Sequence, residues 1–342
     1  MRKYLLPSGG NFYKANLHSH TVLSDGAKTP EEVKEIYKEL GYSVVAYTDH
    51  DILIPHNELT DDTFLAMNGF EMSILEDRAK GGYKICHLCI IALDPDNITQ
   101  PFWHRELYLF GNAPKYRHLV KFDENEPDYV REYSGEAVSH VMQTCREKGF
   151  FVTYNHPAWS RENYNDYMGY NGMHAMEIMN GGSCVAGYED YNAKEYDDVL
   201  TGGKKIYCIG ADDNHNRHPK DSRRSDAGVA FTMIKAEKLE YAAIAEALVN
   251  GDFYASEGPE IYELYYEDGK VYVKCSPVDR IYLTCRAREA RIAYAEGNEP
   301  LTKACFDVPH YSGYFRLTLV DERGKRANTN AYFMEDILLK TE

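Results

Sequence analysis

The sequence predicts an α/β domain of the barrel type over residues 1–256, followed by a small antiparallel β-sandwich over residues 257–342. In the first part, buried-type strands alternate with amphipathic helices, whereas after about residue 257 short strands of alternating polarity take over. Several strands of the first part also end at an imidazole or a carboxylate. In α/β barrels the carboxyl ends of the strands form one face, where the active site lies.

The first elements are predicted from local signals. Residues 12–18 read as a strand. Thr29 as N-cap and Glu32 three residues later form a capping-box pattern that begins a helix, and Gly41 supplies its end. The β-branched run at 43–47 then predicts a buried strand. This strand leads directly to an Asp-His-Asp segment.

The same order returns twice further along the chain. A helix is predicted over 135–148, and the strand at 150–154 leads to His156. A strand at 205–210 leads to a second Asp-rich segment, and a helix over roughly 237–250 closes this part. The repetition favours parallel strands with their carboxyl ends on one side.

The segment 100–134 breaks this pattern. It contains three prolines and mixed polarity, which is typical of a long insertion. We expect it to be an insertion or a lid over the mouth of the barrel. After residue 257, a Glu-Asp-Gly-Lys turn favours a hairpin. The predicted strands of the sandwich are 261–266, 270–275, 280–285 and 314–320.

Charge and composition limit the partners of this chain. The net charge of −16 disfavours a long nucleic acid as partner, because most of the surface would repel phosphates. No apolar run is long enough for a membrane span, and the first residues lack the apolar stretch of a signal peptide. Cys86 and Cys89 form a lone Cys-x-x-Cys, which favours buried thiols over a zinc knuckle. We therefore expect a cytoplasmic protein; the oligomeric state stays open.

Metal-binding side chains recur at the predicted strand ends. His18 and His20 lie two residues apart, which places both imidazoles on one side of a strand. Asp25 follows in a tight turn. Each short pattern alone also fits a hydrogen-bonded turn, but together they indicate a multi-metal hydrolytic site. The candidate ligands are His18, His20, Asp25, His50, Glu71, His87, His156, Asp213 and His215.

The order of these motifs over residues 12 to about 256 resembles the PHP (polymerase and histidinol phosphatase) family. It is similar in particular to the stand-alone metal-dependent phosphoesterases, some of which carry an appended β-sandwich. The resemblance implies a distorted seven-stranded barrel with two or three divalent metals, Mn, Fe or Zn, with Mg as an alternative. It also implies three ligand sets: His18, His20, Glu71 and Asp213; Glu71, His87 and His156; and Asp25, His50 and His215.

One departure concerns Asp25, where many relatives have histidine. An oxygen ligand at this position favours Mn, Mg or Fe over zinc in the third set and leaves its occupancy open.

The expected chemistry needs no side-chain nucleophile. Two metals bridged by one carboxylate lie about 3.5–4 Å apart, and a water between them becomes a hydroxide near neutral pH. We therefore predict a phosphoesterase acting on a small phosphomonoester or nucleotide phosphate. Three alternatives remain open: an exonuclease-like enzyme acting on oligonucleotide ends, a hydrolase of a non-phosphate bond, and a non-catalytic scaffold.

Two further groups flank the ligands. The first is a cationic run after His215, which is either a substrate-phosphate site or a solvated loop with surface ion pairs. Its candidate residues are Arg217, Arg223 and Arg224. The second group would orient the metal-binding imidazoles from behind, although simple turn capping is the alternative. Its members are Asp51, Asn155 and Asp212.

Overall fold

The structure is a computed structural model that describes residues 2–189, 191–297 and 299–339. The helices are α1 (Pro30–Glu39), α2 (Ala113–Tyr116), α3 (Gly135–Glu147), α4 (Pro157–Ser160), α5 (Tyr164–Tyr167), α6 (Gly181–Val185), α7 (Ala193–Thr201), α8 (Tyr241–Asn250) and α9 (Met334–Leu339). Short 3-10 turns lie at Asn57–Leu59, Arg78–Lys80 and Arg117–Leu119.

The strands follow the chain from end to end. They are β1 (Lys3–Tyr4), β2 (Asn11–Asn16), β3 (Val44–Tyr47), β4 (Leu65–Leu75), β5 (Ile85–Ala92), β6 (Phe150–Tyr154), β7 (Ala175–Asn180), β8 (Tyr207–Ala211), β9 (Phe231–Ala236), β10 (Phe253–Ser256), β11 (Ile261–Glu267), β12 (Lys270–Val278), β13 (Arg280–Cys285), β14 (Ala290–Tyr294), β15 (Leu301–Asp307), β16 (Tyr314–Val320), β17 (Arg326–Thr329) and β18 (Tyr332–Phe333).

Local signals set the ends of α1 as predicted. The Thr29 side chain accepts from the backbone N–H of Glu32, and the Glu32 carboxylate accepts from the backbone N–H of Thr29. This confirms the capping box. The helix ends at Leu40, and Gly41 follows with a φ of 77°, a left-handed conformation that costs glycine little.

A large open sheet positions the candidate site. Its strand order is β14-β13-β16-β17-β10-β9-β2-β3-β4-β5-β6-β7-β8. Pairing is parallel from β2 to β4 and from β6 to β8, whereas β5 is antiparallel to both β4 and β6. The expected α/β character is therefore present, with one strand reversed within the run.

The predicted closed barrel is not found, because β8 pairs only with β7 among the described strands. Side chains connect the open side instead of a backbone ladder. The Thr232 hydroxyl accepts from Gly210 N at 3.2 Å and donates to Gly210 O at 2.9 Å. The Asn330 amide oxygen accepts from Cys208 N at 2.9 Å. These contacts occupy backbone groups of β8 that a closing strand would need.

A second sheet has the order β1-β11-β12-β15. Its buried side chains, including Leu264 and Val273, belong to the same hydrophobic cluster as Leu283 and Leu317 of the large sheet. The N-terminal strand β1 pairs with β11, so the first residues lie with the C-terminal part of the chain. The large sheet also continues through the β10–β17 pair. Shared sheet and shared core thus join the two parts.

The cysteines and the hydropathy of the helices bear on two expectations from composition. None of the eight cysteines, all of which lie in the described part of the chain, forms a disulfide, and Cys86 and Cys89 are buried in β5. The buried-thiol interpretation of the Cys-x-x-Cys pair is therefore confirmed. Over the described part of the chain, no helix combines the length and the apolar character needed to cross a membrane.

The close approach of β8 to β9 predicts that Gly210→Ala destabilises the fold. A Cβ atom at this position would lie 2.7 Å from the carbonyl oxygen of Phe231. Strand β9 is held by ladders to both β2 and β10, so we expect a loss of about 1–3 kcal/mol in the free energy of unfolding. Chemical denaturation measures this loss.

Gly258→Ala is the matched control. The atoms nearest to its added Cβ would belong to the side chains of Lys325, at 3.5 Å, and Asp321, at 3.9 Å, which is ordinary contact. We expect a change within about 0.5 kcal/mol for this variant. Equal stabilities of the two variants would contradict the tight β8–β9 contact.

Candidate metal centre

The nine candidate ligands lie together at one end of the run from β2 to β8. Strand β2 leads to three of them, strands β3, β6 and β8 each lead to one or two, and β4 and β5 carry theirs within the strand. Isolated bridges at Ser19–Asn214 and His50–Glu71 hold the strand ends next to one another. The sequence-distant side chains therefore meet because neighbouring strands end at the same edge, as in α/β sites generally.

Glu71 lies at the middle of this cluster and is 1% exposed. Three imidazole nitrogens lie near its Oε1 atom, at 2.8 Å (His87), 3.2 Å (His18) and 3.3 Å (His156). Two more lie near its Oε2 atom, at 3.0 Å (His50) and 3.4 Å (His20). Burial alone would raise the pKa of Glu71, but the surrounding imidazoles, His87 foremost, lower it well below its usual range. A carboxylate placed this way is suited to bridging two cations.

Asp213 forms one group with His18 and His20. Its Oδ1 atom lies 3.0 Å from His20 Nε2 and 3.3 Å from His18 Nε2. The two Nε2 atoms are themselves 3.1 Å apart. Ligand nitrogens of a tetrahedral site with bonds of about 2.0–2.1 Å are separated by about 3.3 Å. His18, His20 and Asp213 therefore have the spacing of ligands to a common cation.

Asp25 forms a second group with three imidazoles. Its Oδ2 lies 3.2 Å from His215 Nε2, and its Oδ1 lies 3.7 Å from His50 Nε2 and 3.9 Å from His20 Nδ1. Burial opposes ionisation of Asp25, yet the hydrogen bond from His215 and the charges of nearby imidazoles lower its pKa below the usual range. One potential ligand atom from each of these four residues lies within 4.8 Å of the others.

The turn that carries Asp25 is fixed by Asp49. The Asp49 carboxylate accepts from Ser24 N at 3.1 Å, from Ser24 Oγ at 2.6 Å and from Thr21 N at 2.8 Å. A Cβ on Gly26 would lie 2.5 Å from the carbonyl oxygen of His20. The turn therefore packs directly on the segment that carries His18 and His20. Asp49 thereby places the Asp25 carboxylate next to the imidazoles.

Several buried donor and acceptor atoms in the cluster lack hydrogen bonds. His20 Nδ1, Asp25 Oδ1, His50 Nδ1 and Glu71 Oε2 are inaccessible and make no hydrogen bond of acceptable geometry. Each such group costs about 1–3 kcal/mol when left unsatisfied in a folded protein. Cations coordinated by these atoms would satisfy them, and imidazole with carboxylate is a donor set that Mn, Fe and Zn accept. The residues present therefore fit divalent metals.

Contacts behind the imidazoles set which nitrogen faces the centre. His215 Nδ1 lies 3.1 Å from the carbonyl oxygen of Asp213, and His156 Nδ1 lies 3.2 Å from Ser160 Oγ. A carbonyl oxygen only accepts, so His215 Nδ1 carries a proton, and Nε2, on the side of Asp25, is the nitrogen that would bind a cation. This is the arrangement common in metal-binding histidines.

Glu177 is a buried residue of this centre that the sequence analysis did not identify. It lies in β7 with 0% exposure, and its Oε1 is 2.7 Å from His18 Nδ1. The available signal was a single acid inside an otherwise apolar strand, Ala-Met-Glu-Ile-Met-Asn. A charged side chain is almost never fully buried unless it is paired, so this position could have been singled out.

Asn155 lies behind the imidazoles. Its Nδ2 is 3.0 Å from Cys89 Sγ, 3.4 Å from His18 Nδ1 and 3.5 Å from Glu71 Oε1. Its Oδ1 accepts from the Thr153 hydroxyl at 2.7 Å, which fixes the orientation of the amide. Asn155 therefore contacts both a histidine and the central carboxylate.

Asp212 differs from the expectation that it orients an imidazole. Its carboxylate accepts from the Tyr37 hydroxyl and from three successive backbone N–H groups at 228–230. Burial raises the pKa of Asp212 to about 6, because desolvation outweighs these donors. Its contacts hold the loop before β9 against the end of β8.

Asp51 likewise takes a different role. Its Oδ1 accepts from Arg131 at 2.5 Å and from Ser73 N at 3.3 Å, and its backbone N–H donates to the carbonyl oxygen of Glu71. Arg131, which the sequence analysis also did not identify, comes from the 100–134 segment. Asp51 therefore connects that segment to the strand that carries the central carboxylate.

A cavity of about 1000 Å³ opens above the ligands. Arg217 and Arg224 lie on its wall, whereas Arg223 is not among the lining residues. Arg217 also donates to Asp25 Oδ2 at 3.0 Å. The wall further includes Arg131 and Phe110 of the 100–134 segment, so part of this segment borders the cavity, as a lid would.

Aromatic rings border the ligands on the cavity side. The Trp159 ring lies 5.1 Å from the ring of His156 and 5.4 Å from the ring of His87. The Phe110 ring lies 5.3 Å from that of His50. These contacts give the cavity an apolar rim around a polar floor, which is typical of small-molecule sites.

No protein-family model matches the sequence, and no curated protein matches it. Among solved structures, the chain is similar to a two-domain protein from Bacteroides vulgatus that contains a predicted PHP-like metal-dependent phosphoesterase. The two are 15% identical, with 97% of each chain covered and a TM-score of 0.43.

Two further solved structures are similar over a smaller part of the chain. One, described as a metal-dependent phosphoesterase from Bifidobacterium adolescentis, is 15% identical, with 64% of this chain and 91% of that chain covered and a TM-score of 0.37. The other is an amidohydrolase from Chromobacterium violaceum with bound sulfate and no metal. It is 16% identical, with 58% of this chain and 86% of that chain covered and a TM-score of 0.35.

Proposed function

We propose that this protein is a metal-dependent phosphoesterase that hydrolyses a small phosphomonoester or nucleotide phosphate. The observation that carries the proposal is the convergence of six imidazoles and three carboxylates, Glu71 among them, with four of their buried atoms lacking hydrogen bonds. Such a donor set fits two or three divalent cations.

The metals and the side chains have separate tasks in this proposal. When bound, the cations would activate a water molecule for attack on phosphorus and neutralise charge on the phosphate oxygens. Glu71, Asp213 and Asp25 would hold the cations at the floor of the cavity. Trp159 and Phe110 border that floor and would exclude bulk water from the reacting phosphate.

Arginines on the cavity wall favour an anionic substrate. The chain carries a net charge of −16, yet Arg217 and Arg224 lie beside the carboxylate-rich floor. A guanidinium group binds phosphate oxygens through two parallel N–H donors, which also sets the orientation of the phosphate. The size of the cavity, about 1000 Å³, suits a small molecule rather than a long chain.

The first test of the function is His156→Ala. His156 Nε2 lies 3.3 Å from Glu71 Oε1 and 3.7 Å from Asp213 Oδ2, so its loss removes a nitrogen shared by two carboxylates. We expect kcat/KM for p-nitrophenyl phosphate, measured with added manganese, to fall by at least about a hundredfold. The exposed His118, in the 3-10 turn Arg117–Leu119, provides the matched control His118→Ala with unchanged activity.

A substrate panel decides between this proposal and its alternatives. Faster cleavage of bis-p-nitrophenyl phosphate than of the monoester would favour the exonuclease-like phosphodiesterase. Protein with bound metal that cleaves neither ester would contradict the proposal.

The second test compares the effects of two arginines of the cationic run on substrate binding. Arg224→Ala removes a guanidinium from the cavity wall, whereas Arg223→Ala changes a neighbour that does not line the cavity. A charged hydrogen bond contributes about 1.5–3 kcal/mol, so we expect KM for the phosphomonoester to rise by about tenfold or more in Arg224→Ala. Arg223→Ala should keep the KM of the unaltered protein. Equal KM values for all three proteins would contradict a role of Arg224 in phosphate binding.

A further inference from the structure

Strand β7 is the member of the run from β2 to β8 that supplies none of the nine candidate ligands. It contributes Glu177 instead, which is fully buried beneath the cluster. A buried carboxylate is costly unless each oxygen is paired. The contacts of its two oxygens therefore indicate what this residue does.

The Oε1 atom of Glu177 fixes the orientation of His18. It lies 2.7 Å from His18 Nδ1, and a carboxylate only accepts hydrogen bonds, so Nδ1 must carry the proton. With a cation bound, the lone pair would lie on His18 Nε2, the nitrogen 3.2 Å from Glu71 Oε1 and 3.3 Å from Asp213 Oδ1. Glu177 thus presents the acceptor nitrogen of His18 to the centre.

The Oε2 atom of Glu177 holds a second ligand through its backbone. It accepts from His156 N at 3.1 Å. His156 has a φ of 28°, a conformation that costs a non-glycine residue free energy and needs support from its surroundings. Oε2 also accepts from Asn180 Nδ2 at 2.8 Å, and the same amide lies 3.4 Å from Asp213 Oδ2.

We propose that Glu177 is a positioning residue that sets the metal affinity of the centre by fixing the tautomer of His18 and the backbone of His156. The inference rests on the metal-binding part of the proposed function. Both oxygens of Glu177 already accept hydrogen bonds, so the residue acts through His18 and His156 rather than as a ligand. Carboxylate–histidine–metal arrangements of this kind commonly change metal affinity by about 10–100-fold.

The direct test is Glu177→Gln in the full chain. A carboxamide has one oxygen, so its NH₂ group would face either His18 Nδ1–H or the N–H of His156, and one donor would meet another donor. We expect the dissociation constant for manganese, measured by competition with a fluorescent chelator, to rise by about 10–100-fold. The metal content after dialysis should fall in parallel.

Glu162→Gln is the matched control because Glu162 is also a buried glutamate. Its oxygens accept from the hydroxyls of Tyr133 and Tyr154 at 2.8 Å and from that of Tyr170, away from the imidazoles. The same chemical change there should leave the manganese dissociation constant unaltered. A loss of affinity in both variants would point to general destabilisation and would overturn the specific role of Glu177.

The tautomer of His18 is a second observable. A purely structural role of Glu177 would leave it unchanged. In zinc-loaded protein labelled with ¹⁵N histidine, the NMR spectrum should contain a histidine Nδ1–H hydrogen-bonded to a carboxylate. We expect Glu177→Gln to shift or remove this signal and Glu162→Gln to leave it unchanged. An unchanged spectrum in Glu177→Gln would overturn the tautomer assignment.

A folded Glu177→Gln protein with unaltered metal affinity would overturn the inference. If this variant does not fold, Glu177→Asp takes its place, since it keeps the charge but shortens the reach by one methylene. Unaltered affinity in Glu177→Asp would then overturn it. Metal binding that depends on Glu177 without any ester hydrolysis would contradict the proposed function alone and would leave this inference standing.

Discussion

A single buried carboxylate organises the centre of this molecule. Glu71 has five imidazole nitrogens within 3.4 Å of its two oxygens, and the histidines follow or lie in β2, β3, β5 and β6. Charges and unsatisfied donors at this density are tolerated in a protein interior only when a compensating ion is bound or extensive pairing exists. The orphaned buried atoms of the cluster show that pairing within the protein is incomplete. The proposed binding of cations would satisfy these atoms and would account for the arrangement.

The backbone around the cluster is held in unusual conformations. Asp51, His156 and Asp213 have φ values of 62°, 28° and 50°, although none is glycine. Residues in this region cost on the order of 1–3 kcal/mol each and cluster at functional sites in many proteins. The hydrogen bonds from His156 N to Glu177 and from Asp51 N to the carbonyl oxygen of Glu71 support two of them. Strain and ligand placement are thus coupled in the same short segments.

Sequence reasoning could single out the nine candidate ligands, which the structure brings together, because their signals are local. His18 and His20 lie two residues apart at the end of a predicted strand, and His50 and His156 directly follow buried-type strands, so convergence at one sheet edge could be expected. Glu177 gave only the weaker signal of a single acid in an apolar strand, and Arg131 gave none, since their roles depend on partners far along the chain. The sequence also carried no sign that the predicted barrel would be an open sheet. The open sheet depends on single side-chain hydrogen bonds, such as those of Thr232 to Gly210, which no periodicity encodes.

Crystals grown with manganese, with data collected for anomalous scattering, would test the central claim most directly. The account predicts at least two peaks in the anomalous difference map, each about 2.0–2.6 Å from an oxygen of Glu71 and about 3.5–4 Å apart. His18, His20, His156 and Asp213 should lie within bonding distance of those peaks. A map without a peak near Glu71, with the imidazoles still packed around it, would contradict the claim that cations hold this cluster together.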